Sequence, residues 1–560
     1  MPCGLTRPRC CVTSTLRECN DRGFQCAVLA DCTAGFDAQQ VTTSLDIVQG
    51  QDGLFGFVGE SAEFFAAVNE AFTSLTPPAT PPLLMDDRLP PIDELHSRYK
   101  KGIITPVDVV NLVHDRIAKY QTDDAAVWIH LEPRARCLEA AEKLAAKFSG
   151  KPLPPLFGIP FSVKDTIDVA GVPTTAACPQ YAYTPESNAP AVQHVLDAGG
   201  LFVGKVNLDQ LATGLSGCRS PFGVTHSVFS SEYISGGSSS GSAVSVGAGL
   251  VSFGLATDTA GSGRVPAAYN GIIGFKPTKG TVSARGLVPA CRTLDTITVM
   301  APSVPETRKI WQIIAQHDAE DPFSKLPRSL VSWSVDFRGP RHGGFTFAVP
   351  PATSLEGCQK EYVELFTKAV RVIRSCGGRL ADKDIDYSIF ERAGELLYDA
   401  SLLHERMTCI GLDFLQQNLA NLHPVTKELF SRALDSPPSA YDVFRDQALQ
   451  IQLTRKVQLA FDTLKGGVDV LIVPTTTQHP TLAQMAADPL KLNSQLGTFT
   501  HYANVVDMCG ANVPAGTYVD AKGTLLPFGI TVLGGSGFDA KVLDIAAVIE
   551  EAFAQQPPGV

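Results

Sequence analysis

Positive charge is scarce in this chain: 46 Lys and Arg stand against 57 Asp and Glu, for a formal net charge of −11. A nucleic-acid or anionic-membrane surface needs a clustered basic patch, so neither is an expected partner. Long apolar runs are missing as well. No stretch reaches the roughly 18 consecutive apolar residues of a membrane-spanning helix. The cationic start, MPCGLTRPRCCVTSTLREC, lacks the apolar core of a secretory signal, which makes the cytoplasm the expected compartment. No paired C-x-x-C occurs among the 14 cysteines. Six of them (Cys3, Cys10, Cys11, Cys19, Cys26 and Cys32) crowd into the first 32 residues, where histidine is absent. That pattern fits neither a zinc module nor a disulfide framework, and no metal or cofactor is expected. A Met-Lys pair for biotin attachment is also missing, so any carboxylation falls to another protein.

What is present is enough apolar material, 44% of 560 residues, to bury a large core. Residues 1–76 read as an extension without assigned function, with a helix-like stretch from Ser61 to Phe72. Residues 77–90 open with Pro77-Pro-Ala-Thr-Pro-Pro and read as a linker. Residues 91–553 form the expected main domain, and 554–560 a tail. Within the domain, helix-like and strand-like stretches alternate: Ala189 to Ala198, Leu201 to Gly204, and the apolar Val468 to Val473 before Pro474. Such alternation suggests an α/β architecture.

The chemistry concentrates between Gly236 and Arg264, in GGSSSGSAVSVGAGLVSFGLATDTAGSGR. A serine hydroxyl is a poor nucleophile near neutral pH and needs a base and oxyanion donors. Ser262 lies among small residues that let the main chain approach a carbonyl, and the amides of Thr259, Ala260, Gly261 and Ser262 are candidate donors. Lys164 follows the apolar run Phe157 to Val163, which reads as a buried strand. Burial favours the neutral amine, which is a base. Ser238 is placed to relay a proton between Lys164 and Ser262. Two other readings stay open on residue types alone. GGSSSGS is also a linker composition, although the apolar Ala243 to Ala256 behind it suggests a buried helix and strand. Gly237 to Gly241 fits G-x-S-x-G centred on Ser239, with His404, His423, His479 and His501 downstream as candidate bases. A P-loop is excluded, since the loop lacks Gly-Lys-Ser/Thr.

Three segments, GIPFSVKDTIDVAGVPTTAACPQYAY, GGSSSGSA and DTAGSGRVPAAYNGIIGFKPTKG, resemble the amidase signature family of amide hydrolases. The resemblance implies one large domain around a mixed sheet of about eleven strands flanked by helices. It also implies a Ser-cisSer-Lys triad of Ser262, Ser238 and Lys164, with Ser239 no nucleophile. Within the family, Ala177 to Tyr183, Thr213 to Gly223 and Ser283 to Asp295 are most similar to the amidase domain of allophanate hydrolases. The segment from Leu396 to Arg406 resembles the one in which a tyrosine and an arginine eight residues later hold substrate there, here Tyr398 and Arg406. An arginine fork suits the carboxylate of allophanate, and residues eight apart on one helix share a face. Where that family segment carries Gly-Pro-Trp, this chain has Ala400-Ser-Leu, which leaves another small amide open as substrate. An amidotransferase-type subunit is a further alternative. The implied partner is a small-molecule amide, and dimerisation is common in the family.

Overall fold

The computed structural model describes residues 27–29, 57–59, 88–326, 344–382, 385–398 and 401–556, with Tyr398 traced as backbone only. Two compact units divide the chain, Met1–Leu84 and Met85–Val560. In the first, the described residues are two short strands paired in parallel, β1 (Ala27–Leu29) and β2 (Phe57–Gly59). The helix expected over Ser61 to Phe72 and most of the proline-rich linker lie outside the described residues.

In the second unit, short apolar runs rich in β-branched and aromatic residues become strands, many of them buried along their whole length. They are β3 (Trp128–Leu131), β4 (Pro160–Lys164), β5 (Leu201–Val206), β6 (His226–Ser227), β7 (Ser230–Ile234), β8 (Phe253–Asp258), β9 (Ile273–Lys276), β10 (Thr296–Ala301), β11 (Phe345–Ala348), β12 (Gly378–Leu380), β13 (Val470–Pro474), β14 (Cys509–Val519) and β15 (Leu525–Gly534). Apart from the small β6–β7 pair, they form one 11-stranded sheet in the order β12-β11-β13-β15-β14-β9-β10-β8-β4-β5-β3. The sheet is mixed. β4 runs parallel to β5 and β8, whereas β10 is antiparallel to both β8 and β9. The centre is stitched late in the chain, where β14 pairs antiparallel with β9 at Gly510 opposite Lys276.

Six helices position the site: α1 (Ser240–Gly247), α2 (Arg264–Tyr269), α3 (Ser388–Tyr398), α4 (Leu402–Ile410), α5 (Ala440–Ala460) and α6 (His501–Val505). Every residue of α1 is buried, so GGSSSGS is no flexible linker. Its small residues are a packing requirement: a Cβ on Gly241 would lie 2.6 Å from the amide nitrogen of Asn207. One expectation changes. Tyr398 and Arg406 do not share a helix face, because α3 ends at Tyr398 and α4 begins at Leu402. The N–H of Ser401 donates to the Asp446 carboxylate on α5 (3.0 Å) instead of continuing a helical ladder. Ala400 lies outside the described residues. Among the described residues, no helix is long and apolar enough to cross a membrane.

Candidate active site

Lys164 is the last residue of β4, and the sheet delivers its ammonium to the start of the Gly-Ser-rich turn. The side chain is wholly buried, and Nζ donates to Ser238 Oγ (2.7 Å), Ser239 Oγ (2.9 Å) and Thr257 Oγ1 (2.7 Å). Three hydroxyls and no carboxylate meet it. Burial therefore pulls the lysine down to about 7; Asp209, Asp295 and Asp258 oppose the shift at longer range, and Arg406 adds to it. Near neutral pH much of it is a free amine with a lone pair.

The Gly237–Ser238 peptide is cis, and the Ser238 carbonyl accepts the N–H of Asp209 (3.0 Å). The Asp209 carboxylate in turn gathers the amides of Ser216, Gly217 and Arg219 at 2.9–3.2 Å. Ser239, the centre of the elbow-like pattern, spends its hydroxyl on the Thr257 carbonyl (3.0 Å) while accepting from Lys164. Lysine, not histidine, is its partner.

Ser262 is buried on the turn between β8 and α2, and its carbonyl accepts the N–H of Ser239 (3.4 Å), which holds the two serine-bearing turns together. Among the described residues no hydrogen bond joins the hydroxyls of Ser238 and Ser262. Of the four amides expected to receive an oxyanion, that of Gly261 is already bonded to Asp258 Oδ1 (2.8 Å), leaving those of Thr259, Ala260 and Ser262. Gly261 has φ +116°, and a Cβ there would lie 2.2 Å from Thr500 Oγ1, so only glycine fits.

A brace that short-range sequence patterns did not reveal fixes this turn from below. Asp258 and Arg264 form a fully buried bidentate pair (2.8 and 3.0 Å). Burial works against the Asp258 anion, but the Arg264 charge and hydrogen bonds hold its carboxyl below the ordinary value. Thr500 Oγ1 donates to the Ala260 carbonyl (2.9 Å). Asn504 on α6 donates to the carbonyls of Asp258 (2.7 Å) and Leu294 (3.0 Å) and accepts from Arg264 (3.3 Å). Asp295, next to Leu294, accepts the Thr259 hydroxyl and the amides of Ala290 and Cys291. Burial pushes Asp295 up to about 6, against those hydrogen bonds. Replacing Asn504 with alanine should lower kcat by about 10²-fold while leaving KM within a few-fold, as expected for a displaced turn. Steady-state kinetics check this, and a change confined to KM would remove Asn504 from the brace.

Arg406 is buried on α4 and donates to Thr213 Oγ1 (3.0 Å), within electrostatic range of both Lys164 and Asp295. The fold thus brings together Lys164, Ser238, the Ser262 turn and a buried cation. Tyr398 ends the helix just before α4, with its backbone alone described. No group of three or more potential metal ligands occurs among the described residues.

A family model described as Amidase matches residues 108–543, most of the chain. The chain belongs to the amidase signature family. This amidase is 38% identical over 421 residues to urea amidolyase of Lachancea kluyveri, an alignment covering 75% of this chain and 22% of that one. It therefore spans about a fifth of the length of such relatives. It is 30% identical over 491 residues to a glutamyl-tRNA(Gln) amidotransferase subunit from Lysinibacillus sphaericus, covering 83% of this chain and 97% of that one. In three dimensions it is similar to the allophanate hydrolase of Kluyveromyces lactis, with a TM-score of 0.74 at 35% identity over 85% of this chain and 74% of the other. These likenesses make the chain an amidohydrolase acting on a linear amide. A second family model, described as Isochorismatase domain, matches residues 7–62, the stretch left without assigned function on sequence.

Proposed function

We infer that the amidase hydrolyses allophanate through Ser262, Ser238 and Lys164 and acts in the cytoplasm as a homodimer. The observation that carries the substrate is Arg406, a buried cation close to Lys164 and suited to pairing with a substrate carboxylate. The likeness to allophanate hydrolase supports the same reading. Ser262 Oγ attacks the ureido carbonyl as its proton passes to Ser238 and a proton from Ser238 passes to Lys164 Nζ. The amides of Thr259, Ala260 and Ser262 receive the oxyanion. On collapse the C–N bond breaks, the relay returns a proton to nitrogen, and ammonia leaves an acyl-serine. Water, deprotonated by the same relay, then releases N-carboxycarbamate, which decarboxylates and yields the second ammonia. The contact between Ser238 and Ser262 tightens as substrate seats, as catalytic hydrogen bonds commonly do. Tyr398 is the second candidate for holding substrate.

Ammonia release from allophanate, biuret, malonamate and simple amides, with Ser262→Ala as the blank, tests this. Allophanate should be turned over fastest, and Arg406→Ala should raise KM for allophanate by about 10²-fold, the loss of a charged hydrogen-bonded pair. Ser262-dependent cleavage of another amide with allophanate inert would keep the triad and discard the substrate. The likeness to an amidotransferase component favours a second reading, in which ammonia passes to a partner protein that co-purifies with the chain.

A further inference from the structure

Arg406 is only 5% exposed, so a substrate carboxylate has to reach it through an opening in the surrounding surface. A cavity of about 370 Å³, within the size range of small-molecule sites, lies between α4, the helix Pro424–Asp435 and residues 490–494. Leu403, Leu429 and Leu490 give it apolar walls. Its charge comes from Arg432 and Arg219, and among the described residues that line it there is no carboxylate. Arg432 sits at the mouth with its side chain 67% exposed. It pairs with Glu428 one helical turn back, but an exposed pair of this kind is worth little, so the guanidinium is open to exchange with an incoming carboxylate. Arg219 is buried at the inner wall, where it donates to the carbonyls of Thr213 (2.8 Å) and Pro489 (3.1 Å). The hydroxyl of the same Thr213 accepts from Arg406 (3.0 Å). Leu403 and Arg406 are one turn apart on α4, about 60° around the helix. The inner end of the cavity is therefore one hydrogen-bonded residue away from Arg406.

We propose that this cavity is an entry vestibule that selects amides bearing a carboxylate: Arg432 captures the anion, Arg219 draws it inward, and Arg406 receives it. The inference rests on Arg406 as the partner of the substrate carboxylate and adds two residues to substrate selection. A cleft lined by charge of one sign between low-dielectric walls focuses the field and raises the local concentration of the opposite ion. Two guanidiniums between three leucines meet that description. With a formal net charge of −11, the surface at large repels a small anion, so a local cationic route raises its rate of capture. A second cavity, of about 250 Å³, reaches Asp295 but has the opposite character. Three carboxylates line it, those of Asp295, Glu320 and Asp321, against the guanidiniums of Arg285 and Arg292. Arg285 is moreover paired with Asp318 (2.9 Å) and with Glu320. An anion is disfavoured there and favoured beside Arg432.

Two exposed positions, Arg432 and Ser494, test this with the full chain. At low ionic strength, Arg432→Glu should lower kcat/KM for the anions allophanate and malonamate about 10-fold more than for neutral malonamide. The loss should sit in KM, and rising salt should erase it. Ser494→Trp narrows the opening and should lower kcat/KM severalfold for all three amides. Circular dichroism spectra that match wild type check that both variants are folded. Equal losses for malonamate and malonamide in Arg432→Glu, or none for the anions, would overturn the vestibule as a selector. A Ser494→Trp variant as fast as wild type on every amide that is cleaved would overturn it as the route. Failure of the substrate reading shows separately, as a wild type that cleaves malonamate and leaves allophanate inert; the two variants then decide the vestibule on malonamate.

Discussion

Lys164→Ala should lower amide hydrolysis by about 10²–10⁴-fold above neutral pH, the usual contribution of a positioned base. The size follows from the surroundings of the lysine. Its Nζ touches only hydroxyls and lies fully inside the sheet, and burial brings it to about 7. The base must be neutral to act, so wild-type activity should fall about tenfold per pH unit once the pH drops below that value. Asp295 sharpens the test. Its charge is one of those that hold the Lys164 value up, so Asp295→Asn should move the acid limb to lower pH. The same change leaves one acceptor oxygen where there were two, so either the Thr259 hydroxyl or the amides of Ala290 and Cys291 lose their acceptor, which should lower the plateau rate. Because the two groups sense each other, the limb belongs to the pair and not to either alone. A pH profile from pH 5 to 9, read in both proteins as kcat/KM, decides the matter. A Lys164→Ala variant that keeps wild-type activity with an unchanged acid limb would remove lysine from the mechanism.

The other large effect concerns stability. Arg264→Ala leaves Asp258 buried without its bidentate partner, and uncompensated buried charges of this kind cost about 3–5 kcal/mol. The loss does not stop at the pair, because Arg264 also donates to the Thr500 carbonyl and to Asn504 Oδ1. Both the urea midpoint and activity should fall sharply. Arg264→Lys should recover little, since a single ammonium cannot reproduce two parallel hydrogen bonds. Denaturant titration monitored by fluorescence measures the shift. A loss below about 1 kcal/mol would mean that water or a neighbouring cation compensates Asp258.

Residues that act through local pattern were legible in the sequence alone. The apolar run ending at Lys164, the small-residue turns around Ser238 and Ser262, and the strand before Pro474 all announce themselves within a few positions, and each forms the expected element. The hydroxyl of Thr257 and the carboxylate of Asp295 lie in segments that had been singled out, but nothing local tells which hydroxyl meets the lysine. Thr500 and Asn504 left no trace, because their partners Ala260 and Asp258 are 240 and 246 positions away. The break between Tyr398 and Arg406 escaped for the same reason: Asp446, 45 positions on, takes the Ser401 N–H. Helical spacing assumes that backbone groups find their partners nearby, and here a distant carboxylate competes for one.

The late pairing of β14 with β9 dictates an order of assembly. When a ribosome has finished β9 at Lys276, that strand lacks its neighbour until Gly510 has been made, a gap of about 230 residues. At 5–20 residues per second this is on the order of 10–50 s of synthesis. Through that interval the Ser262 turn also waits for Thr500 and Asn504. The nascent chain therefore carries the proposed triad residues and the turn glycines long before it can hold them in place, and an open strand edge in mid-sheet has to be kept from other chains meanwhile. Activity should switch on only when the last tenth of the protein folds back into the middle of the sheet, so a chain cut short after α5 would contain all three proposed triad residues and hydrolyse nothing.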